Sequence, residues 1–117
     1  MQFDVFTILS EIFPSYLDTS ILKRARERGL IDVRVHNIRE YTHDKHHMTD
    51  DTPYGGGGGM VMKPEPVFEA VESVLGLNTH LSNPESDSNI PIILLTPQGR
   101  VFTQRVAEEL EIGRAHV

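Results

Sequence analysis

Five consecutive glycines, Gly55 to Gly59, set the tightest limit on how this chain can fold. Glycine gives up more backbone freedom on ordering than any other residue, so such a run does not sit inside a helix or strand. The segment is a loop, and its surroundings decide which kind. Asp50, Asp51, Pro53 and Tyr54 lead straight into the glycines, and Met60-Val-Met62 follows. His43, Lys45, His46 and His47 lie just upstream. Flexible linkers are the alternative, but they are usually diluted with serine and carry no titratable residues packed against them. This loop reads instead as one whose backbone approaches a ligand closely, with charged groups at its edge. It is not a P-loop, because Gly59 is followed by Met60-Val61 rather than Lys-Ser/Thr. Nor is it a dinucleotide fingerprint, which would follow a strand directly and open a helix.

The flanking sequence alternates between strand and helix patterns. Phe3 to Leu9 is β-prone with apolar residues on both faces, which predicts a buried parallel strand. Ser10 is placed to cap a short helix through Leu17, and Ser20 a second from Ile21 to Arg28, ended by Gly29. Ile31, Val33 and Val35 alternate with Asp32, Arg34 and His36, predicting a strand over about 30–37. Pro64 and Pro66 open a helix with Val67, Phe68, Val71, Val74 and Leu75 on one face, stopped by Gly76. Asn78 to Asn89 is a polar loop. Ile90 to Leu95 predicts a strand apolar on both faces that ends in the turn Thr96-Pro-Gln-Gly99, and Thr103 caps a last helix from Gln104 to about Glu111. The alternation implies an α/β fold with an open, mainly parallel sheet. Ligands bind such sheets beyond the carboxyl ends of the strands, where the Thr96–Gly99 turn and the long glycine loop both fall.

At 117 residues the chain has the size of one small domain. It has no apolar run long enough to cross a bilayer and no basic-then-apolar start, so a cytoplasmic protein with no membrane partner is expected. Without cysteine it makes no disulfide and does no thiolate chemistry. The net charge of −6 is unevenly spread. Ser20 to His47 holds seven Lys/Arg against four Asp/Glu, together with four of the six histidines. A local basic face can supply phosphate contacts despite an acidic total. The bland counterpart is a solvated helix face.

Several separated motifs occur in a fixed order: Thr42-His-Asp-Lys-His46, Asp50-Asp51, Pro53-Tyr-Gly-Gly-Gly57 with Gly59-Met60, Lys63-Pro64 and Pro97-Gln-Gly99. Phe3-Asp-Val5 and Ser20-Ile-Leu-Lys23 precede them. Together they resemble the bacterial tRNA (guanine-N1)-methyltransferases of the knotted SPOUT superfamily, from Met1 to about Leu110. Ser10 departs from the family's usual proline, and Thr52 and Gly58 occupy variable loop positions. The resemblance implies an S-adenosylmethionine-dependent enzyme, homodimeric when intact, that methylates guanosine 37 of tRNA, 3′ of the anticodon. It implies that Leu95, Thr96, Pro97, Gln98 and Gly99 form one wall of the cofactor pocket. It places Arg24, His46, Asp50, Tyr54, Gly55 and Gly59 on the tRNA side. His46 and Asp50 would bond a base splayed from its loop, and Arg24 would pair with phosphate. A metal site at His43, His46, His47 and Asp50 is the competing reading of the cluster, but its spacing fits no standard zinc pattern, so no metal is expected. A noncatalytic RNA- or nucleotide-binding module is the alternative for the whole chain.

Family members continue well past this chain, with segments that complete the cofactor pocket, the trefoil knot and a C-terminal tRNA-binding domain. The aspartate expected to act as general base also lies there, so no catalytic residue is assigned here and Asp50 is not given that role. The expected organisation is therefore an N-terminal part of a SPOUT domain over 1–110 with the knot cut off, inactive by itself and weak in cofactor affinity. Glu111-Ile-Gly-Arg-Ala-His-Val117 interrupts the helix pattern at Gly113 and Arg114. One back-translation of it, GAGATCGGAAGAGCACACGTC, reads as a sequencing-library adapter, so 111–117 is expected to be a non-native tail.

Overall fold

Parallel pairing of two strands organises the N-terminal part. In the computed structural model, which describes residues 1–53, 55–79 and 90–115, β1 (Gln2–Thr7) lies beside β2 (Asp32–Asn37). The register runs from Gln2 opposite Asp32 to Thr7 opposite Asn37. Two parallel strands cannot be joined by a tight turn, and the crossover here is helical. A 3-10 turn at Ser10–Ile12 leads into α1 (Phe13–Leu17), and α2 (Ser20–Glu27) returns the chain to β2. One face of the pair carries Gln2, Asp4 and Phe6 beside Asp32, Arg34 and His36. Asp4 and His36 meet there at 2.8 Å, with side chains only 19% and 22% exposed, and the Phe6 ring stacks on His36 at 5.0 Å. The strand face expected to be apolar thus carries a partly buried polar pair.

The crossover helices start by different means than their sequences suggest. Neither Ser10 nor Ser20 caps a helix with its side chain. Leu9 is the residue before the 3-10 turn, and Ser20 is the first residue of α2 with φ of +54°. Thr19 precedes it in extended conformation, but its hydroxyl donates back to the Ser15 carbonyl instead of capping α2. The end of α2 is as expected. Gly29 takes φ of +69°, its amide bonds the Arg26 carbonyl at 3.0 Å, and the Leu30 amide bonds the Ala25 carbonyl at 2.9 Å. That double bond is the Schellman closure, which favours glycine at the left-handed position. Arg26 ties α2 back to the end of α1, donating to the Leu17 carbonyl at 3.0 Å and to Asp18 at 2.8 Å.

Beyond β2 the chain forms a 3-10 turn at Ile38–Tyr41, a loop, the short strands β3 (Asp50–Asp51) and β4 (Val61–Met62), and α3 (Pro64–Thr79). Gly76 does not stop α3; one interior glycine costs a helix only about 1 kcal/mol. Ala70 and Val74 are buried on it, whereas Phe68, expected on the apolar face, is 65% exposed. The chain divides into two compact units, Met1–Leu75 and Gly76–Val117. In the first, Ile38 and Thr49 join Ala70 and Val74 as buried residues.

The second unit contains the turn at Thr96–Gly99 and α4 (Gln104–Ala115). Thr103 caps α4, its Oγ1 accepting from the Val106 amide at 3.4 Å. Gly113 and Arg114 lie within the helical backbone rather than ending it, the same modest glycine cost applying here. Ile90 to Leu95 is not a strand. It pairs with no other strand among the described residues, and a strand persists only where its amides and carbonyls find a ladder. The side chains are correspondingly bare, Leu94 at 77% and Leu95 at 90% exposure. The polar loop expected over 78–89 falls largely outside the described residues.

Ile38 is 3% exposed and is the buried residue nearest the end of β2. Ile38→Ala is expected to lower the unfolding free energy by about 2–5 kcal/mol, the usual cost of a large-to-small change in a core. Urea denaturation followed by circular dichroism measures it; a loss below about 0.5 kcal/mol, the scale of a surface change, would contradict this placement.

Candidate functional site

The glycine loop is the connection of a β-hairpin. Asp50 pairs with Met62 and Asp51 with Val61 in antiparallel register, and the Lys63 amide donates to the Thr49 carbonyl at 2.6 Å just below them. Thr49 is fully buried, and its Oγ1 has no hydrogen-bond partner among the described residues. A buried anchor and a short ladder thus hold both ends of residues 52–60, which a flexible linker would not have. Gly55, Gly56 and Gly59 have φ of +82°, +75° and +88°. A β-carbon at any of the five glycines would meet no atom within 4 Å. Left-handed backbone, rather than close approach within this chain, therefore explains glycine at those three positions. Tyr54 lies outside the described residues.

Before the hairpin, a set of short hydrogen bonds shapes the histidine loop. The Asn37 side chain accepts from the Arg39 amide at 3.0 Å and so starts the 3-10 turn. Thr42, Arg39 and His47 form a closed hydrogen-bonded group. The Asp44 carboxylate accepts from the Met48 amide at 3.1 and 3.0 Å. That amide is the main reason the Asp44 carboxyl is held below the usual carboxylate range. Its own amide, the Lys63 ammonium and the His46 amide act the same way, while desolvation opposes them. A shallow cleft of about 360 Å³ opens beside this loop, lined by His43, Asp44, Met48, Asp51, Lys63 and Glu69 among others. His43 bridges it, its Nε2 lying 2.8 and 2.9 Å from the two Glu69 oxygens.

The candidate RNA-side residues are only partly brought together. His46 is exposed on the loop, and Asp50 is half-buried at the start of β3. Gly55 and Gly59 lie in the hairpin connection that Asp50 leads into. Arg24 lies elsewhere, on α2, in a separate cleft of about 340 Å³ with Ile21, Ala25, Arg28 and Leu30. Among the described residues no three His, Asp or Glu side chains are placed to hold a metal ion. His43 is instead paired with Glu69, and His47 with Thr42 and Arg39.

The candidate cofactor residues lie in the second unit, where Thr96 to Gly99 forms the expected tight turn. The Gly99 amide donates to the Thr96 carbonyl at 3.1 Å, and the Gln98 amide to Thr96 Oγ1 at 3.4 Å. A β-carbon on Gly99 would stand 3.3 Å from the Thr96 carbonyl oxygen, a tight contact that the turn would relieve by a shift of a few tenths of an ångström. Leu95 precedes it with its side chain exposed, giving an apolar surface beside exposed peptide groups. Sequence reasoning missed the hairpin ladder, the buried Thr49 and the Arg39 contacts. The apolar residues flanking the glycine run, Met48 and Met60-Val-Met62, were the available signal for the hairpin.

Comparison with known proteins adds an independent line. The family described as tRNA (Guanine-1)-methyltransferase TrmD matches residues 1–116. A tRNA (guanine-N(1)-)-methyltransferase of Dehalococcoides mccartyi is 51% identical over 111 residues, covering 94% of this chain and 41% of that protein. One from Thermomicrobium roseum is 51% identical over 110 residues, covering 94% of this chain and 38% of its own length. Among solved structures, the tRNA (m1G37) methyltransferase from Aquifex aeolicus superposes with a TM-score of 0.61 at 38% identity, over 66% of this chain and 34% of that one. The chain thus spans about two-fifths of the length of the curated relatives it matches.

Because the folded state depresses the Asp44 pKa, the contact with Met48 stabilises the loop above the ordinary carboxylate value and is lost as pH falls through the lowered one. The Asp44 carboxyl carbon, followed by NMR, is expected to titrate below about 3.9. Asp44→Ala is expected to remove the exchange protection of the Met48 amide, and Asp44→Asn, which keeps an acceptor oxygen, to preserve part of it. A midpoint at or above the ordinary value would contradict the capping role.

Proposed function

The chain belongs to the tRNA (guanine-1)-methyltransferase family, and from that premise we propose that it corresponds to the N-terminal part of an enzyme that methylates N1 of guanosine 37 in tRNA. The observation that carries the reading is the family match over residues 1–116 with 51% identity over 110–111 residues to two named relatives, together with an ordered hairpin at the glycine loop. In this proposal residues 1–110 are the N-terminal part of a SPOUT methyltransferase domain and 111–117 are a non-native tail. The general base, the knot and much of the dimer surface belong to segments outside this chain. The intact protein works in the cytoplasm as a homodimer. No helix among the described residues is long and apolar enough to cross a membrane.

The proposed methyl donor is S-adenosylmethionine, whose sulfonium would supply the transferred methyl group. Leu95 to Gly99 fit one side of such a ligand: an exposed apolar side chain adjoins a turn in which a side chain at Gly99 would crowd the Thr96 carbonyl. The Gln98 and Gly99 amides are used within the turn, so an adenine edge would meet main-chain carbonyls of this exposed segment, which can accept from its amino group. The RNA side is assigned to the basic segment and the hairpin. Arg24 supplies a phosphate contact from α2. His46 and Asp50 hydrogen-bond the splayed guanine, and Tyr54, Gly55 and Gly59 are assigned to the same tRNA side. Asp50 orients the base and is not the proton acceptor. Holding the base in line for transfer is the larger part of what such residues contribute.

The test uses the reading frame extended to the length of its relatives, with undermodified tRNA and methyl-labelled S-adenosylmethionine. Label is expected at guanine N1 for the extended protein and none for the 117-residue chain. Asp50→Ala and His46→Ala are expected to reduce methylation at least about tenfold, near 1.4 kcal/mol, with cofactor binding unchanged in the absence of RNA. Gln98→Ala, or a bulky residue at Gly99, is expected to weaken cofactor binding itself. Equal loss of cofactor in all four variants would overturn the division of labour, and an extended protein that transfers no label would overturn the function.

A further inference from the structure

Arg39 is tied to His47 from both of its ends. Its Nη1 donates to the His47 carbonyl at 3.1 Å, and its own carbonyl lies 3.1 Å from His47 Nδ1. Thr42 closes the group, its Oγ1 donating to the Arg39 carbonyl at 2.8 Å and lying 3.0 Å from the same Nδ1. A carbonyl oxygen has no proton to give, so the imidazole nitrogen facing it must carry one. With Nδ1 protonated, every proton in the group has an acceptor: Nδ1–H is shared between the Arg39 carbonyl and Thr42 Oγ1, and the Thr42 hydroxyl goes to that carbonyl. With the other tautomer the Nδ1 and Arg39 carbonyl lone pairs would face each other at 3.1 Å. The Thr42 hydroxyl could turn to Nδ1 while the Thr42 amide stays on the carbonyl at 3.3 Å, but that repulsive contact would remain. His47 also has φ of +51°, a left-handed conformation that a histidine keeps only when its surroundings hold it.

We propose that Arg39 is a positioning residue that, with Thr42, locks His47 as the Nδ1–H tautomer, so that His47 Nε2 is offered as a hydrogen-bond acceptor to donor groups of RNA. This rests on the reading of the loop as RNA-facing. The chemistry to which the acceptor corresponds is an N–H of an unpaired base or a ribose 2′-hydroxyl. The lock also fixes the path between two proposed contacts. His46 precedes the held residue, and two positions after it the chain enters the core at Thr49, directly before Asp50. Arg39 itself follows the buried Ile38, so both ends of this path are anchored to buried residues.

The lock is tested on the 117-residue chain itself, apart from any RNA reaction, by correlating His47 ring nitrogens with ring protons in NMR at pH about 8, above the ordinary histidine pKa. The wild type is expected to show a protonated Nδ1 and an unprotonated Nε2. Arg39→Ala is expected to shift His47 toward the Nε2–H form, and Arg39→Lys, which keeps a donor, to restore the wild-type signature. Amide shifts of β1 and β2 report whether a variant is folded. Thr42→Val, which removes the hydroxyl but leaves the Arg39 carbonyl facing Nδ1, is expected to keep the Nδ1–H signature; its loss in a folded Thr42→Val chain would also overturn the proposal. An Nε2–H tautomer in the wild type, or a folded Arg39→Ala chain with an unchanged His47, would overturn the proposal. The RNA reading is judged separately by the labelling assay.

Discussion

Everything in the N-terminal unit depends on β1 and β2 running parallel in one register. Parallel pairing brings both carboxyl ends to the same edge, and it requires a crossover between them, here α1 and α2. The long loop therefore leaves the sheet where open α/β folds bind their ligands. The Asp4–His36 contact and the Phe6 ring stacked on His36 join the two strands on one face. A one-residue slip would carry Asp4 and His36 to opposite faces and break both contacts.

From that edge the chain is guided by two buried points rather than by continuous secondary structure. Ile38 fixes its departure and Thr49 its return. The exposed residues between them are held by side chains: Asn37 on the Arg39 amide, Asp44 on the Met48 amide, and Arg39 with Thr42 on His47. Short polar side chains bonding nearby backbone provide order where no helix or strand ladder is available. The β3–β4 ladder then closes the glycine run into a hairpin. The conformational cost of five ordered glycines is thereby confined to one short, anchored connection.

Legibility in the sequence followed how local each cause is. The α2 stop at Gly29, the Thr103 cap and the Thr96–Gly99 turn were readable because a few adjacent residues determine them. The strand at 30–37 was readable from alternation, although its first two residues fall outside β2. Ile90 to Leu95 was misread as a strand because its apolar pattern indicates what the segment would do with a ladder partner. Phe68 was misplaced and Ala70 overlooked because helical spacing ranks residues by hydrophobicity, while the face that packs here contains the small Ala70. At the candidate site, the loop character of the glycine run was legible from residue type, whereas His46 and Asp50 became candidates only through the family resemblance. The His47 lock was not, since it joins a main-chain carbonyl, a guanidinium and a hydroxyl that no motif spacing predicts.

The central claim is that the glycine-rich segment is an anchored hairpin that starts at the proposed RNA contact Asp50, rather than a linker. Backbone 15N relaxation across residues 45–62 tests it most directly. Order parameters near the rigid value of about 0.85 are expected at Asp50, Asp51, Val61 and Met62, with any decrease confined to the glycines. Values below about 0.6 at those four strand residues would show a flexible segment and contradict the account.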